Sequence, residues 1–326
     1  MPNWIFYDSD ENVHASRLVG VLRKLGIDIF FNSYKSIKSE YSNVMFVAEV
    51  DNIPEALLQS NAFLIGVSWS YDIERNLESE CGRTKLARIF KRLNMLIVDC
   101  EHYYEKALSI GIDQGKLWRM PYGLDLELEF YRANLDRRNK SKTTMIYSNR
   151  KWEKNYGISD IFAAASTLAN DNFNFKITLS NDGSLRSPLE KQYKDLLDKG
   201  FIQCVGKVSE SQNSNLLRQA DFFLSTSSRD GWSVSILEAM AIGTPVIVSS
   251  IGSNLDLIQD KISGFIFSTG LESSLVETIE SAMNAINRPG VFSNIAKTAR
   301  EKIEKEADLN VNLSKLLVEI ERRLSK

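Results

Sequence analysis

Short apolar runs alternate with helical patterns along almost the whole chain. Trp4–Tyr7 reads as a strand, His14–Leu25 as a helix closed by Gly26, and Asp28–Phe31 as the next strand. Asn43–Val50, Ala62–Val67, Met95–Asp99 and Leu117–Met120 continue the strands, with helices predicted over Pro54–Ser60, Ser79–Leu93 and Glu101–Ile110. Runs that stay apolar at successive positions belong to strands buried on both faces, the condition of a parallel sheet covered by helices. Right-handed crossovers then make the sheet doubly wound. A second set follows, with strands at Met145–Ser148, Phe175–Leu179, Phe201–Val205, Phe222–Ser225, Val246–Ser249 and Phe265–Phe267. Helices are predicted between them over Gly157–Leu168, Leu189–Lys199, Gln212–Gln219 and Val234–Ala241, and three more from Glu272 to the C-terminus.

Between the two sets Arg132–Thr143 loses this rhythm. Arg132, Arg137, Arg138, Lys140 and Lys142 crowd it with few apolar neighbours, which reads as a solvated linker in preference to a binding patch. The expected architecture is α/β, with two Rossmann-like doubly wound domains facing a cleft. Residues 1–140 form the first domain and 144–305 the second, and the last helix, 308–326, packs back on the first. Open α/β sheets take ligands at the carboxyl ends of their strands.

Composition narrows the functions. A length of 326 residues suits two domains, and 43% hydrophobic with 25% charged residues is the balance of a folded chain. A formal net charge of -2 provides no global field for nucleic acid, so no nucleic-acid partner is expected. Cys81, Cys100 and Cys204 lie far apart with no Cys-x-x-Cys pair, so neither a metal nor a disulfide framework is expected. The start lacks a basic segment followed by an apolar one. The longest uncharged stretches, Ala56–Tyr71 and Ala239–Leu255, fall short of the ~18–20 residues of a membrane span. The expected compartment is the cytoplasm, with a peripheral place on the inner face of the plasma membrane left open.

The most informative stretch runs from Asp221 to Pro245. A buried strand ends in a polar turn, Ser225 to Gly231, and a helix starts at once. The first N–H groups of that helix have no intrahelical acceptor, and the helix dipole adds to their attraction for phosphate. Asp230 stands just before the helix. Glu238 stands inside it, three residues after Ser235 and on the same face. An N-capping Asp before an ordinary helix would look alike in isolation. Gly243-Thr-Pro-Val-Ile and Gly252-Ser253 downstream favour a functional reading.

Here Asp230-Gly-Trp-Ser-Val-Ser-Ile-Leu-Glu238 resembles the Glu-x7-Glu element of retaining GT-B glycosyltransferases, above all family 4 (glycosyl transferases group 1). The usual form is Glu-Gly-Phe-Gly-x-x-x-Leu-Glu-Ala-Met-Ala. The resemblance implies that Glu238 binds the ribose hydroxyls, that Asp230 reaches the donor sugar, and that Gly231, Trp232, Ser233 and Val234 line the sugar and diphosphate. Two departures stand out. Asp230 is a methylene shorter than Glu, and Ser233 replaces Gly, narrowing the space beside the sugar. Tyr147-Ser-Asn-Arg150-Lys-Trp-Glu-Lys154-Asn-Tyr-Gly157 resembles the family's Gly-Arg-x-x-x-x-Lys-Gly segment, with altered spacing, which would place Arg150 and Lys154 on the diphosphate. Fixed cations there stabilise the charge that the leaving group gains, so neither metal nor cofactor is expected. The donor is a co-substrate, with UDP- and GDP-sugars leading. Val205-Gly-Lys-Val208 resembles the loop beside the base, which brings in Lys207 and Val208. Met120-Pro-Tyr-Gly-Leu-Asp125 resembles the turn that ends the first domain.

The N-terminal half departs further, with neither a glycine-rich loop after the first strand nor a His after the fourth. Acceptor candidates are Asp8, Asp10, His14, Trp69 and Asp72. Arg83, Lys85, Arg88, Lys91 and Arg92 share a helix with Leu86, Ile89, Phe90 and Leu93. That pattern fits either a packed, solvated helix or one resting on anionic lipid. No Gly-x-Gly-x-x-Gly follows a strand, and there is neither a complete P-loop nor a Gly-x-Ser-x-Gly elbow. The expected activity is transfer of a sugar, with retention, from a nucleotide-diphosphate sugar to a glycan or lipid-linked acceptor in bacterial glycan biosynthesis. The alternatives are a non-catalytic nucleotide-sugar-binding homologue or a sugar-nucleotide epimerase or hydrolase.

Overall fold

The computed structural model describes residues 4–8, 13–34, 44–131, 143–288 and 290–325. The chain forms two compact units, Met1–Asp125 with Glu306–Lys326, and Leu126–Lys305. Each unit carries a six-stranded sheet in which every pairing is parallel. The basic segment 132–142 lies outside the described residues.

The first sheet contains β1 (Trp4–Asp8), β2 (Ile29–Ser33), β3 (Val44–Ala48), β4 (Phe63–Val67), β5 (Met95–Val98) and β6 (Leu117–Arg119), in the order β2-β1-β3-β4-β5-β6. Strands β1, β3 and β5 are buried at every position, as their unbroken apolar runs predict. Phe6 stacks on Phe31 and Phe46, its register partners on the two neighbouring strands. The C-terminal helix Leu309–Leu324 lays Leu309, Leu313, Leu316 and Ile320 into this core. Spacings of four, three and four place those side chains on one face. Each such burial contributes roughly 1.5–3 kcal/mol.

The second sheet contains β7 (Thr144–Ser148), β8 (Phe175–Ser180), β9 (Ile202–Gly206), β10 (Phe222–Ser225), β11 (Val246–Ser249) and β12 (Phe265–Phe267). Its order is β12-β11-β10-β7-β8-β9. The chain winds outward through β8 and β9, then returns to the other side of β7 as β10. Neighbours β7 and β10 therefore flank the topological switch point, where their connections leave in opposite directions. The helix Val234–Ile242 after β10 is buried from Ile236 onward on all sides and stops at Gly243, whose φ of 87° suits glycine. Trp152 is fully buried, and its indole N–H donates to the Ser180 carbonyl at 3.0 Å.

Several expected elements differ. Leu189–Lys199 is two helices, Arg186–Gln192 and Lys194–Asp198, because Tyr193 leaves helical geometry and packs its ring 5.3 Å from Phe162. Pro54–Ser60 keeps only Glu55–Leu58 as helix, and Tyr71–Leu77 and Gly252–Leu257 form helices too short to show a period. On the basic helix Glu80–Arg92, Leu86, Ile89 and Phe90 are buried, as is Leu93 just beyond it. Arg83 donates to Leu77 O, Arg88 pairs with Glu55, and Arg92 donates to Leu58 O. The apolar stripe that a lipid surface would take up is therefore spent inside the unit. Among the described residues no helix is long and apolar enough to cross a membrane.

Candidate functional site

Strand β7 delivers Asn149 and Arg150 at its carboxyl end. The chain then makes a 3-10 turn at Lys154–Tyr156 and enters the helix Ile158–Asn170 through Gly157, whose φ is 62°. That glycine is dictated by its neighbour, because a Cβ there would lie 2.3 Å from the Thr226 carbonyl oxygen. Thr226 Oγ1 donates to Tyr156 O and Gly157 O, both at 2.9 Å, and Ser228 N donates to Asn155 O at 2.9 Å. The turns after β7 and β10 are thus sewn together at the switch point.

Arg150 is the centre of this turn. Its side chain is 8% exposed, and its Nη2 pairs with Asp230 Oδ2. Its Nη1 donates to Ser233 Oγ at 2.5 Å, and the guanidinium carbon lies 4.5 Å from the centre of the Tyr156 ring. Arg150 Nε, Ser148 Oγ and Asn149 Oδ1 are buried without a hydrogen-bond partner among the described residues. Such groups are costly to bury unsatisfied, so three in sequence mark a place that a polar ligand would complete. Asp230 Oδ1 accepts from Gly231 N at 3.0 Å, and its backbone carbonyl accepts from Ser253 Oγ at 2.7 Å. The helix caps on Ser233, whose side chain makes no capping bond; its carbonyl accepts from Ile236 and Leu237. The N–H groups of Val234 and Ser235 find no acceptor among the described residues. Gly231, Trp232 and Ser233 are buried, and Lys302 lies over the Trp232 ring at 5.7 Å. Lys154 is exposed and its ammonium has no partner among the described residues.

One turn into the same helix lies Glu238, 7% exposed. Tyr131 donates to its Oε1 at 3.2 Å and Asn213 Nδ2 to its Oε2 at 3.0 Å. Asn213 Oδ1 in turn accepts from Tyr147 and from Asn149 Nδ2, both at 2.9 Å. Burial pushes the Tyr147 hydroxyl up to about 12, with Ser180 opposing and Glu238 assisting. Tyr131, Asn213, Tyr147, Asn149 and Tyr156 were not foreseen as site residues. Their only sequence signal is position: Asn213 follows the Val205–Val208 loop, and Tyr156 stands inside the Arg150–Gly157 segment. Lys207, exposed, and Val208, half-buried, sit in the loop after β9, and among the described residues neither side chain bonds to Glu238.

The acceptor candidates belong to the first unit, and Asp10 lies outside the described residues. Asp8 is fully buried at the end of β1. His14, in the first turn of Val13–Lys24, rests 5.6 Å from the Trp69 ring, which meets Tyr122 edge-on at 5.0 Å. Trp69 Nε1 is buried with no partner among the described residues. Asp72 is turned inward: it accepts from Val50 N, Ser68 Oγ and Ile73 N at 2.8, 2.7 and 3.0 Å. Burial pushes its carboxyl up to about 7. It holds the tight turn at Ser70, whose φ is 71° and whose hydroxyl donates to Asp99 at 2.8 Å.

Two doubly wound units, the second with its charged turn at the switch point, define an α/β protein of the GT-B class. A family model described as glycosyl transferases group 1 matches residues 129–299, more than half of the chain, and the chain belongs to that family. It is 26% identical over 163 residues to the alpha-monoglucosyldiacylglycerol synthase of Streptococcus pneumoniae, covering 50% of this chain and 36% of that protein. It is 26% identical over 218 residues to the UDP-Gal:alpha-D-GlcNAc-diphosphoundecaprenol alpha-1,3-galactosyltransferase of Escherichia coli, covering 63% and 54%. The chain thus spans about half the length of the curated relatives it matches or less. Among solved structures, Anabaena HepE in complex with UDP and glucose has a TM-score of 0.76 at 13% identity, covering 98% of this chain and 100% of that one. A glycosyltransferase from Rickettsia africae gives 0.74 at 15%, covering 99% and 98%. At those identities the likeness shows the fold.

Proposed function

We propose that the chain is a glycosyltransferase that moves a sugar, with retention, from a nucleoside diphosphate sugar to an acceptor hydroxyl in bacterial glycan biosynthesis. The observation that carries this reading is the conjunction at the β7–β10 switch point. A buried guanidinium with an unsatisfied Nε, two helix N–H groups without acceptors, and a buried carboxylate one turn further along the helix lie in sequence there. A diphosphate fits the first two and a ribose diol the third. UDP and GDP are the leading nucleotides; HepE, a structural neighbour, holds UDP.

In the proposed step the bond between the anomeric carbon and the diphosphate oxygen breaks. The acceptor oxygen bonds to that carbon on the same face, and its proton passes to the departing phosphate. Arg150, Lys154 and the helix N-terminus stabilise the charge that collects on the leaving group, without a metal ion. Asp230 contacts the donor sugar. His14 and Trp69 of the first unit form the acceptor side, where the unmet Trp69 N–H suits a hydroxyl oxygen. A lipid-linked acceptor leads, because the names of two relatives include diacylglycerol or diphosphoundecaprenol.

The test is a thermal-shift panel of UDP, GDP, ADP, CMP and dTDP with their common sugars, repeated in EDTA. Stabilisation by one nucleotide should grow as RT ln(1 + [L]/Kd) and survive the chelator. If none binds while a control transferase responds, the donor site is refuted. Inverted product stereochemistry by NMR would refute retention.

A further inference from the structure

Glu238 is held by more than its helix. The two hydrogen-bond donors described above sit on different oxygens, Tyr131 on Oε1 and Asn213 on Oε2, so the carboxylate is pinned against rotation about its last bond. Each donor is itself fixed. The Tyr131 carbonyl accepts from Arg300 Nη1 at 2.8 Å, and the Glu129 carbonyl from Arg218 at 3.3 Å, so the segment that carries the phenol is tied at two points. The Asn213 amide cannot turn over without loss. Its oxygen takes two donors, Tyr147 and Asn149, and this leaves the nitrogen to face Glu238. The chain of contacts runs from Asn149, next to Arg150, through Asn213 to Glu238. Two ends of one ligand, the diphosphate and the ribose, would thus be gauged from one rigid frame.

We propose that Tyr131 and Asn213 are positioning residues that orient Glu238 for a ribose cis-diol, and so make the site discriminate ribonucleotides from 2′-deoxyribonucleotides. This rests on the donor-site reading given above. A carboxylate fixed in plane meets two neighbouring hydroxyls at once, whereas one free to rotate can follow a single hydroxyl with little loss. Preorganisation is what separates the two ligands. The segment's double anchoring argues against the opposite role, in which the Tyr131 hydroxyl would occupy the ribose place and swing away on binding.

The experiment measures dissociation constants by calorimetry for UDP, GDP and their 2′-deoxy counterparts. The proteins are the full wild-type chain, Tyr131→Phe, Asn213→Asp and Glu238→Gln. Tyr131→Phe keeps the ring and removes only the hydroxyl. It should weaken the ribo form about three- to tenfold, leave the deoxy form nearly unchanged, and so shrink the ratio between them. Asn213→Asp keeps acceptors for Tyr147 and Asn149 but turns an acceptor towards Glu238, and should shrink the ratio further. Ligand-free melting temperatures report folding separately; if Asn213→Asp does not fold, Tyr131→Phe alone decides. A wild-type ratio retained in a folded Tyr131→Phe overturns the proposal, as does tighter binding of the ribo form, which would mark the phenol as a competitor. If wild type binds neither ribonucleotide, or Glu238→Gln leaves ribonucleotide binding intact, the donor-site reading itself has failed.

Discussion

Replacing Asp230 by Asn changes a charge and almost no shape, and its effect follows from the Arg150 pair. The Arg150 side chain is 8% exposed and that of Asp230 25%, so the cation is the more deeply buried partner. Removing one member of a fully buried pair costs ~3–5 kcal/mol, because the other charge is left uncompensated. Asp230 retains contact with water, and Ser233 Oγ and the Tyr156 ring still face the guanidinium, so we expect a loss of about 2 kcal/mol. For a unit of this size that lowers the melting temperature by about 4–8 °C.

A bound diphosphate brings its own negative charge to Arg150. In the wild type it competes with Asp230; in the variant it replaces what is missing. About 2 kcal/mol corresponds to a ceiling of roughly 30-fold in affinity, and partial sharing in the wild type makes about tenfold tighter binding the expected value. Turnover should fall at the same time, since the group proposed to contact the sugar has lost its charge. The assay is a melting curve of both proteins with and without UDP or GDP, followed by calorimetry and a turnover measurement. An unchanged melting temperature together with tenfold weaker nucleotide binding would refute the reasoning, since Asp230 would then bind the nucleotide itself and leave Arg150 alone.

Glu238→Gln should weaken nucleotide binding about 10- to 100-fold with a smaller effect on turnover at saturating donor, because the carboxylate is proposed to hold the ribose; calorimetry and a kcat measurement check it. Gly157→Ala forces a Cβ to within 2.3 Å of the Thr226 carbonyl at a φ of 62°, and should cost about 2–4 kcal/mol in denaturant titration while loosening nucleotide binding. The Asp72 carboxyl is raised from 3.8 to about 7, so folding favours its protonated form. Its contribution is full below pH 3.8 and lost as the pH rises through about 7, at most about 4 kcal/mol across that window. Denaturant titrations of the wild type and Asp72→Asn between pH 4 and 8 check it: the wild type should lose stability relative to the variant as the pH rises.

The alternation of apolar runs and helical patterns was enough to foresee both sheets. Parallel strands buried on two faces cannot hide in sequence, and Phe222–Ser225, Val246–Ser249 and Phe265–Phe267 fall where their apolar runs lie. What escaped was decided by tertiary contact. Tyr193 splits a continuous helical pattern because Phe162 offers its ring a place, and nothing local announces that. Asp72 looked like a carboxylate beside an acceptor path, but only the fold shows three donors converging on it. The candidate site was partly legible as a place in the chain: Asp230 and Glu238 come from one motif, whereas Asn213 and Tyr131 reach Glu238 from sequence distances of 25 and 107 residues. Side chains that hold another side chain in place carry no periodic signature, so pattern reading passes over them.

The two departures of the Asp230–Glu238 motif from its family's usual form meet at one atom group. The carboxylate at 230 is one methylene shorter, and a hydroxyl at 233 adds bulk where the usual form has glycine. Arg150 answers both, with Nη2 on Asp230 and Nη1 on Ser233 Oγ at 2.5 Å. A Gly at 233 would leave Nη1 without this partner. Asp230 and Ser233 are thus joined through one arginine, which the fold itself holds in place. Preorganisation of that kind would serve the proposed diphosphate contact, because a guanidinium fixed before a ligand arrives loses little side-chain freedom when it binds.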